Sequence, residues 1–209
     1  MSKAEKLATL KKMMQQADLP LREGATQLVF GDGSAEAEIF FLGEGPGYWE
    51  DLKGIPFVGN AGALLNRMLV AIELAREDVF ITNVVCYRPP ENRDPTEEEM
   101  AAFEPWVDKM VTVIEPKVVV TLGRFSMGKF LFGAKIGGVH GKPHMVDFRG
   151  RKLTVYPMYH PAAALRNGEM MRSFREDFMK LPEVLNLIKT EKHEEADKQK
   201  DNSKQMELI

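Results

Sequence analysis

Four short apolar segments alternate with helix-like segments along this chain, and this alternation constrains the fold more than any other feature. The apolar segments are residues 39–42, 79–85, 117–123 and 153–158. Helices are predicted at residues 3–16, 63–69, 96–114, 124–132 and 170–190. Strands that alternate with helices form a parallel sheet between helical layers, with loops gathered at the C-terminal ends of the strands. The sequence therefore predicts a three-layer α/β/α domain with a central four-stranded, mainly parallel sheet.

Length and composition are those of one sizeable domain with a short tail. The chain has 209 residues, 44% of them hydrophobic, and we expect residues 1–190 to form the domain. Residues 191–209 have almost nothing to bury and are predicted to be a disordered tail. No apolar run has membrane-spanning length and the first residues lack a signal-peptide core, so we expect a cytoplasmic protein without membrane contact. The net charge of −3 argues against coating of nucleic acid by bulk electrostatics.

The stretch at residues 43–62 is rich in glycine and begins where the first apolar segment ends. Open α/β sheets bind ligands at this edge, and glycines let the backbone turn tightly and come close to a ligand. Glu44, Glu50 and Phe57 add acidic and aromatic groups to the same stretch. The glycines alone favour an ordinary turn between a strand and a helix, so a ligand site needs support from elsewhere in the chain.

Two polar residues near the ends of other predicted strands are further candidates. Asn83 lies in an otherwise apolar segment, and burying an amide without partners costs about 1–3 kcal/mol. It is therefore either bound to the backbone or in contact with a ligand. His160 directly precedes Pro161 after the fourth apolar segment, where it either caps a turn or takes part in catalysis.

Three segments together resemble the uracil-DNA glycosylase superfamily, and within it family 4. The first segment is GEGPG at residues 43–47 with GIPFVGNAG at residues 54–62. The second is ITNVV at residues 81–85 followed by RPPENR at residues 88–93. The third is HPA at residues 160–162 with Leu165 and Arg166. Each motif is modestly specific, whereas all of them in this order, within a similarity that extends over residues 7–188, are strongly specific.

The resemblance implies roles for several residues in a uracil pocket. His160 would donate a hydrogen bond to uracil O2 as negative charge develops there. Asn83 would donate to O4 and accept from N3–H, which disfavours cytosine. Phe57 would stack on the flipped base. Glu44 would lie beside the base, and Glu50 near the wall that meets a 5-methyl group.

The group that positions the attacking water stays open at this point. Related enzymes with the fastest chemistry carry an aspartate where this chain has Gly45, so Glu44, Glu50 and backbone carbonyl groups are the alternatives. Gly45 and Tyr48 are also expected near the base. Tyr48 and Trp49 replace acidic or polar residues that are common in the family, and would narrow the pocket, stack on DNA or cover the edge of the sheet.

Contacts with DNA outside the pocket are predicted on two loops. The resemblance implies that Leu165 fills the space vacated by the flipped base and that Arg166 grips phosphate. Arg88 and Arg93, in the loop after the second apolar segment, are the other candidates for contact with DNA.

The chain departs from family 4 at the positions that usually hold a four-iron, four-sulfur cluster. That cluster needs four cysteines, and this chain has one, Cys86. Alignment places other residues at the four ligand positions, namely Gln16, Leu19, Tyr87 and Phe103. None of them is a thiolate, so we expect no cluster and no other metal or cofactor. Leu19, Tyr87 and Phe103 would instead fill the volume as a small core.

The resemblance implies a monofunctional uracil-DNA glycosylase, which hydrolyses the N-glycosidic bond of uracil in DNA and initiates base excision repair. No lysine stands in a matching motif, so no lyase step is expected. The missing cysteines and the Tyr48–Trp49 pair leave an alternative, a non-catalytic or altered-specificity relative that binds DNA or damaged bases.

The C-terminus suggests a protein partner besides DNA. Gln205, Met206, Leu208 and Ile209 resemble the short peptides by which bacterial repair and replication proteins bind the sliding clamp. An arbitrary polar terminus with a hydrophobic end fits the same residues equally well. We expect the protein to be a monomer.

Overall fold

The computed structural model describes the backbone of residues 1–206, with the side chains of residues 1–188 and of Thr190. The helices are α1 (Lys3–Gln16), α2 (Tyr48–Lys53), α3 (Asn60–Ala71), α4 (Glu97–Ile114), α5 (Arg124–Gly128), α6 (Ile136–Val139), α7 (Pro161–Ala164) and α8 (Gly168–Met206). The strands are β1 (Asp32–Gly33), β2 (Ile39–Gly43), β3 (Phe80–Asn83), β4 (Val118–Leu122), β5 (His144–Phe148) and β6 (Arg151–Met158). Short 3₁₀ turns lie at Arg76–Asp78 and Pro90–Asn92.

The strands form one sheet in the order β1-β3-β2-β4-β6-β5. The four inner strands are parallel and correspond to the four apolar segments. The sheet has six strands rather than the four predicted, because β1 and β5 add antiparallel edges. β1 spans only two residues, Asp32–Gly33, and has no apolar pattern to mark it. β5 lies in a glycine-rich segment and has four of its five residues partly or fully exposed.

Side chains of the sheet pack against helices on both faces. Along β2, Phe40 and Leu42 belong to one core and Ile39 and Phe41 to the other, because successive strand residues point to opposite faces. The first core contains buried residues of α1 and α4, and the second contains those of α3 and α8. The predicted three-layer α/β/α architecture is confirmed.

The loop that follows β3 is fixed where α4 begins. The Thr96 hydroxyl accepts a hydrogen bond from the N–H of Glu99, and the Glu99 carboxylate accepts one from the N–H of Thr96, which is the predicted capping box. The same carboxylate binds the Arg93 guanidinium through two hydrogen bonds of 2.8 and 2.6 Å. This arrangement ties residues 93–96 to the first turn of α4, beside the C-terminal edge of the sheet.

The last helix extends beyond residue 190, where the sequence predicts the domain to end. Residues 191–206 continue α8 to Met206 instead of forming the expected disordered chain. Glu, Lys, Ala and Gln are frequent in this segment, and these residue types have high helix propensity. Residues 207–209, which include part of the predicted clamp-binding peptide, lie outside the described residues. Among the helices that the structure describes, none combines the length and apolar character needed to cross a membrane.

Candidate active site

A cavity of about 320 Å³ opens at the C-terminal edge of the parallel strands. It brings together Glu44, Asn83 and His160, which follow or end three different strands. The other predicted site residues that line it are Gly45, Glu50, Phe57, Arg93 and Arg166. A second cavity, of about 370 Å³ between α4 and α5, contains none of these residues. The first cavity is therefore the candidate active site.

Asn83 is the last residue of β3, and its side chain is only 1% exposed. No described residue forms a hydrogen bond with its Oδ1 atom. Gly43, directly opposite on β2, makes room for the amide, because a Cβ atom there would lie 2.4 Å from this oxygen and 2.6 Å from Cζ of Phe57. A buried acceptor without a partner is unfavourable. Of the two readings of Asn83, the geometry favours contact with a ligand.

Phe57 forms an aromatic wall of the cavity. Its ring centroid lies 5.7 Å from that of His160, and the two ring planes are inclined by 32°. Its backbone has a φ angle of +52°, in the left-handed region that is unfavourable for residues with a side chain. The surrounding structure must therefore hold the loop around Phe57 in place.

Two side chains hold this loop through its backbone. Oε1 of Glu50 accepts hydrogen bonds from the N–H groups of Val58 and Gly59, both at 2.9 Å. The Arg76 guanidinium donates to the carbonyl oxygens of residues 56 and 57, at 2.5 and 3.3 Å. Glu50 lines the cavity, and its Oε1 atom is occupied by the backbone of the loop.

His160 caps α7 and presents a neutral imidazole to the cavity. Its Nδ1 atom accepts a hydrogen bond of 3.1 Å from the N–H of Ala162, so in the neutral ring the proton is on Nε2. Burial, reinforced by the positive charge of Arg166, lowers the pKa of His160 to about 4. The ring is therefore a neutral N–H donor at physiological pH. His160 both caps a turn and lines the cavity, so a capping role and a catalytic role for this residue are compatible.

Glu44 follows β2 and points toward the start of α5. Its Oε1 atom accepts a hydrogen bond of 3.2 Å from the N–H of Phe125. Gly123 makes room for this contact, because a Cβ atom there would lie 2.3 Å from Oε1. Burial of the carboxyl group raises the pKa of Glu44, and the nearby charge of Asp94 acts in the same direction.

The residues predicted to contact DNA differ in how freely they face solvent. Arg166 lines the cavity, and the adjacent Leu165 is 44% exposed. The Arg88 guanidinium lies 5.2 Å from the centre of the Tyr48 ring. Arg93 lines the cavity, but its guanidinium donates two hydrogen bonds to the Glu99 carboxylate. Arg93 therefore serves the loop before α4 and is less available to phosphate than Arg166.

Comparisons with known proteins agree with this geometry. A family model described as the uracil DNA glycosylase superfamily matches residues 30–181. The chain belongs to the uracil-DNA glycosylase superfamily. It is 46% identical over 166 residues to the type-4 uracil-DNA glycosylase of Sulfurisphaera tokodaii, covering 76% of this chain and 75% of that protein. The type-4 enzymes of Saccharolobus solfataricus (47% over 162 residues, 74% of each chain) and Archaeoglobus fulgidus (45% over 170 residues, 78% and 85%) are similarly related.

Two residues that help to form the site in this superfamily member, Arg76 and Asn92, are not among those predicted from the sequence. Arg76, in the turn before β3, joins Asp32 and Asn66 to the carbonyl groups of residues 56–57. Asn92 lines the cavity and accepts a 2.8 Å hydrogen bond from Nε of Arg88. Asn92 stands in the RPPENR motif, which was a usable signal. Arg76 stands in no motif, and only the folded chain shows its partners.

The four residues that the resemblance predicts at the cluster positions carry no thiol group. Gln16 is exposed, whereas Leu19, Tyr87 and Phe103 are buried in one core, with the two ring centroids 6.2 Å apart. Burial raises the pKa of the Cys86 thiol to about 12, so this sulfur is protonated and unsuited to bind iron. Among the side chains that the structure describes, those of residues 1–188 and of Thr190, no group of three His, Cys, Asp or Glu is placed to hold a metal ion.

Proposed function

We propose that this chain is a uracil-DNA glycosylase, which hydrolyses the N-glycosidic bond of uracil in DNA and so initiates base excision repair. One observation carries the proposal: the unpaired Oδ1 atom of buried Asn83 shares a cavity with the neutral ring of His160. Three type-4 uracil-DNA glycosylases at 45–47% identity support it. The alternative, a non-catalytic binder of damaged bases, has no comparable observation in its favour.

Asn83 and Phe57 select the base in this proposal. The free Oδ1 atom of Asn83 accepts from N3–H of uracil, and its amide N–H donates to O4. Cytosine presents a donor where uracil has O4 and an acceptor where uracil has N3–H, so both contacts fail. The Phe57 ring stacks on the base, and Gly43 leaves room for both side chains.

His160 stabilises the charge that leaves with the base. The bond between C1′ and N1 breaks with its electron pair on uracil, whose O2 atom becomes partly anionic. The Nε2–H group of the neutral His160 ring donates a hydrogen bond to that oxygen and so stabilises its negative charge. Water adds its hydroxyl group to C1′, and the proton that it loses neutralises the departing uracil anion. The products are uracil and an abasic site, and no lyase step follows.

We assign the positioning of the water to Glu44 and the support of the pocket to Glu50. One oxygen of Glu50 is occupied by two backbone N–H groups of the loop next to Phe57. Oε1 of Glu44 accepts a hydrogen bond from the N–H of Phe125, and the side chain lines the same cavity. Its carboxylate, when ionised, orients the water and opposes the positive charge that develops on the sugar. Gly45 beside it contributes backbone only.

Uracil-containing oligonucleotides test the proposed activity directly. After incubation with the protein, alkali cleaves the strand wherever uracil has been removed. We expect cleavage at uracil and none in the matched oligonucleotide that contains cytosine or thymine. His160→Ala is expected to slow excision by roughly 10²-fold or more, because one donor to the anionic base is lost. A wild-type protein that leaves uracil in place would refute the proposed function, and unchanged excision by His160→Ala would refute the role of that residue.

We also propose that the domain folds without an iron–sulfur cluster, with Leu19, Tyr87 and Phe103 as the small core in its place. The single buried cysteine and the contact between the two aromatic rings support this proposal. Iron and acid-labile sulfide analysis of purified protein is expected to give neither element in stoichiometric amount. Stoichiometric iron and sulfide together would overturn the proposal.

The division at residue 190 and the clamp-binding peptide remain proposals about the C-terminus. We propose that Gln205, Met206, Leu208 and Ile209 bind a bacterial sliding clamp and that the cytoplasmic protein is otherwise a monomer. Deletion of residues 205–209 is expected to abolish clamp pull-down while excision from short oligonucleotides continues. A truncated chain that is still captured would overturn the assignment. Sedimentation analysis tests the monomer.

Leu165, Arg166 and Arg88 are proposed to contact the DNA strand around the flipped nucleotide. Leu165 is exposed beside Arg166, which lines the cavity. Leu165 fills the space left by the base, and the two arginines bind phosphate. Arg93 is assigned to the loop before α4, because Glu99 holds its guanidinium.

A further inference from the structure

Two adjacent aromatic side chains stand in solvent beside the candidate active site. Tyr48 and Trp49 begin α2 and are 54% and 52% exposed. Their ring centroids lie 5.2 Å apart, with the planes nearly perpendicular at 80°. The residues on either side of the pair, Gly47 and Glu50, line the cavity. The pair therefore forms an exposed aromatic surface next to residues that line the pocket, which favours stacking on DNA among the three predicted roles of the pair.

Two positively charged side chains lie next to the aromatic pair, one beside each ring. The Arg88 guanidinium lies 5.2 Å from the centre of the Tyr48 ring. The same guanidinium donates through Nε to Asn92, which lines the cavity. The Lys53 ammonium lies 6.0 Å from the centre of the Trp49 ring. An aromatic surface flanked by cations matches a nucleotide, which has a flat base and a negative phosphate.

We propose that Tyr48 and Trp49 stack on an unpaired base next to the flipped uracil, and that the protein consequently binds single-stranded DNA more tightly than duplex DNA. The inference rests on the proposed function, because it places DNA at the mouth of this cavity. In a duplex the faces of neighbouring bases are covered by other bases, whereas in a single strand they are free to stack on aromatic rings. Arg88 and Lys53 bind the adjoining phosphates.

Affinity for uracil-free DNA tests the stacking without relying on excision. A fluorescein-labelled single strand without uracil and the corresponding duplex are titrated with protein, and binding is followed by anisotropy. Tyr48→Ala and Trp49→Ala are each expected to weaken single-strand binding by roughly 5- to 150-fold, the value of one stacked base, and to leave duplex binding unchanged. Leu52→Ala is the matched control, because Leu52 is 49% exposed on the same helix. It is expected to change neither affinity.

Tryptophan fluorescence provides a second, direct reading of the contact. The chain has two tryptophans, Trp49 and Trp106. Trp106 lies in α4, so Trp106→Phe leaves Trp49 as the source of the tryptophan fluorescence. The unlabelled single strand is expected to quench this emission, and the duplex to quench it less. Absence of quenching, equal losses on both DNAs in the alanine variants, or a loss in Leu52→Ala would overturn the inference.

The two proposals fail in different experiments. Intact uracil excision with no quenching of Trp49 would remove the stacking role and leave the glycosylase. Strong quenching by uracil-free single strands with no excision of uracil would retain the stacking surface and remove the glycosylase.

Discussion

Among the described residues, none forms a hydrogen bond with the buried amide oxygen of Asn83, so the protein itself does not offset the cost of burying this acceptor. Asn83→Leu replaces the amide with an apolar side chain of similar size. We expect unchanged or slightly higher stability, by about 1 kcal/mol in urea denaturation, because the unpaired acceptor is removed. We expect uracil excision to fall by roughly 10²-fold or more, because both base contacts are lost. A variant that loses stability and activity together would show that the amide is structural.

Opposite pKa shifts at Glu44 and His160 predict the acid side of the pH profile of excision. Burial raises the pKa of Glu44 above 4.5 and lowers that of His160 to about 4. As the pH falls, the Glu44 carboxylate is therefore protonated first, while His160 is still neutral. We expect kcat/KM for excision, which reports the free enzyme, to decline through an acid step that lies above the ordinary pKa of a glutamate side chain. Glu44→Gln should be slower and should lack this step, and the same step in Glu44→Gln would contradict the role of Glu44.

At the scale of elements, the sequence predicts what is apolar or contained in a motif and misses what depends on contacts between segments. The inner strands were predictable because they are buried on both faces and read as apolar runs. β1 was not, since two polar residues pair only because β3 lies beside them. Asn83, Phe57 and His160 were found through their motifs. The hydrogen bonds that join Glu50 and Arg76 to the backbone of the Phe57 loop are not predictable from the sequence, because neither residue type nor spacing indicates these partners.

The approach of α3 to the Phe57 loop depends on Gly62. A Cβ atom at residue 62 would lie 1.8 Å from the carbonyl oxygen of Phe57, a distance that requires the backbone to move. We expect Gly62→Ala to destabilise the protein by about 1–3 kcal/mol and to slow excision by roughly tenfold or more, because the stacking wall shifts.

Gly128→Ala is the matched control for this substitution. Gly128 also lies in a helix, α5, but apart from its chain neighbours and the backbone of its own helix, no described residue has an atom within 4 Å of the position of its Cβ. We expect Gly128→Ala to retain activity and to gain about 0.5–1 kcal/mol. Thermal unfolding and initial rates measure both variants. Equal behaviour of the two would show that the approach of α3 is unimportant.

At the scale of the whole molecule, the core shared by α1, α4 and the sheet contains Tyr87 and Phe103 where type-4 relatives are expected to bind a cluster. Phe103 is fully buried, so Phe103→Ala should destabilise the domain by about 3–5 kcal/mol in urea denaturation. Met179→Ala, at a residue 53% exposed on α8, should change stability by less than about 0.5 kcal/mol.

Prolonged treatment of the wild type with an iron chelator should leave its unfolding temperature unchanged. A lowered temperature would indicate a bound metal.

The proposed contacts of Asn83 and His160 with uracil, at the cavity where three strands end, have a consequence for turnover. Uracil keeps its O2, O4 and N3–H groups after the glycosidic bond is cut, so the product fits the same contacts as the flipped nucleotide. Free uracil should therefore inhibit excision competitively, and thymine should inhibit less if a 5-methyl group is excluded by the wall near Glu50. Initial rates at increasing uracil concentration measure this effect. The pocket that binds the flipped uracil also binds the free uracil that is produced. We expect slow release of this product to delay the search for the next uracil in DNA.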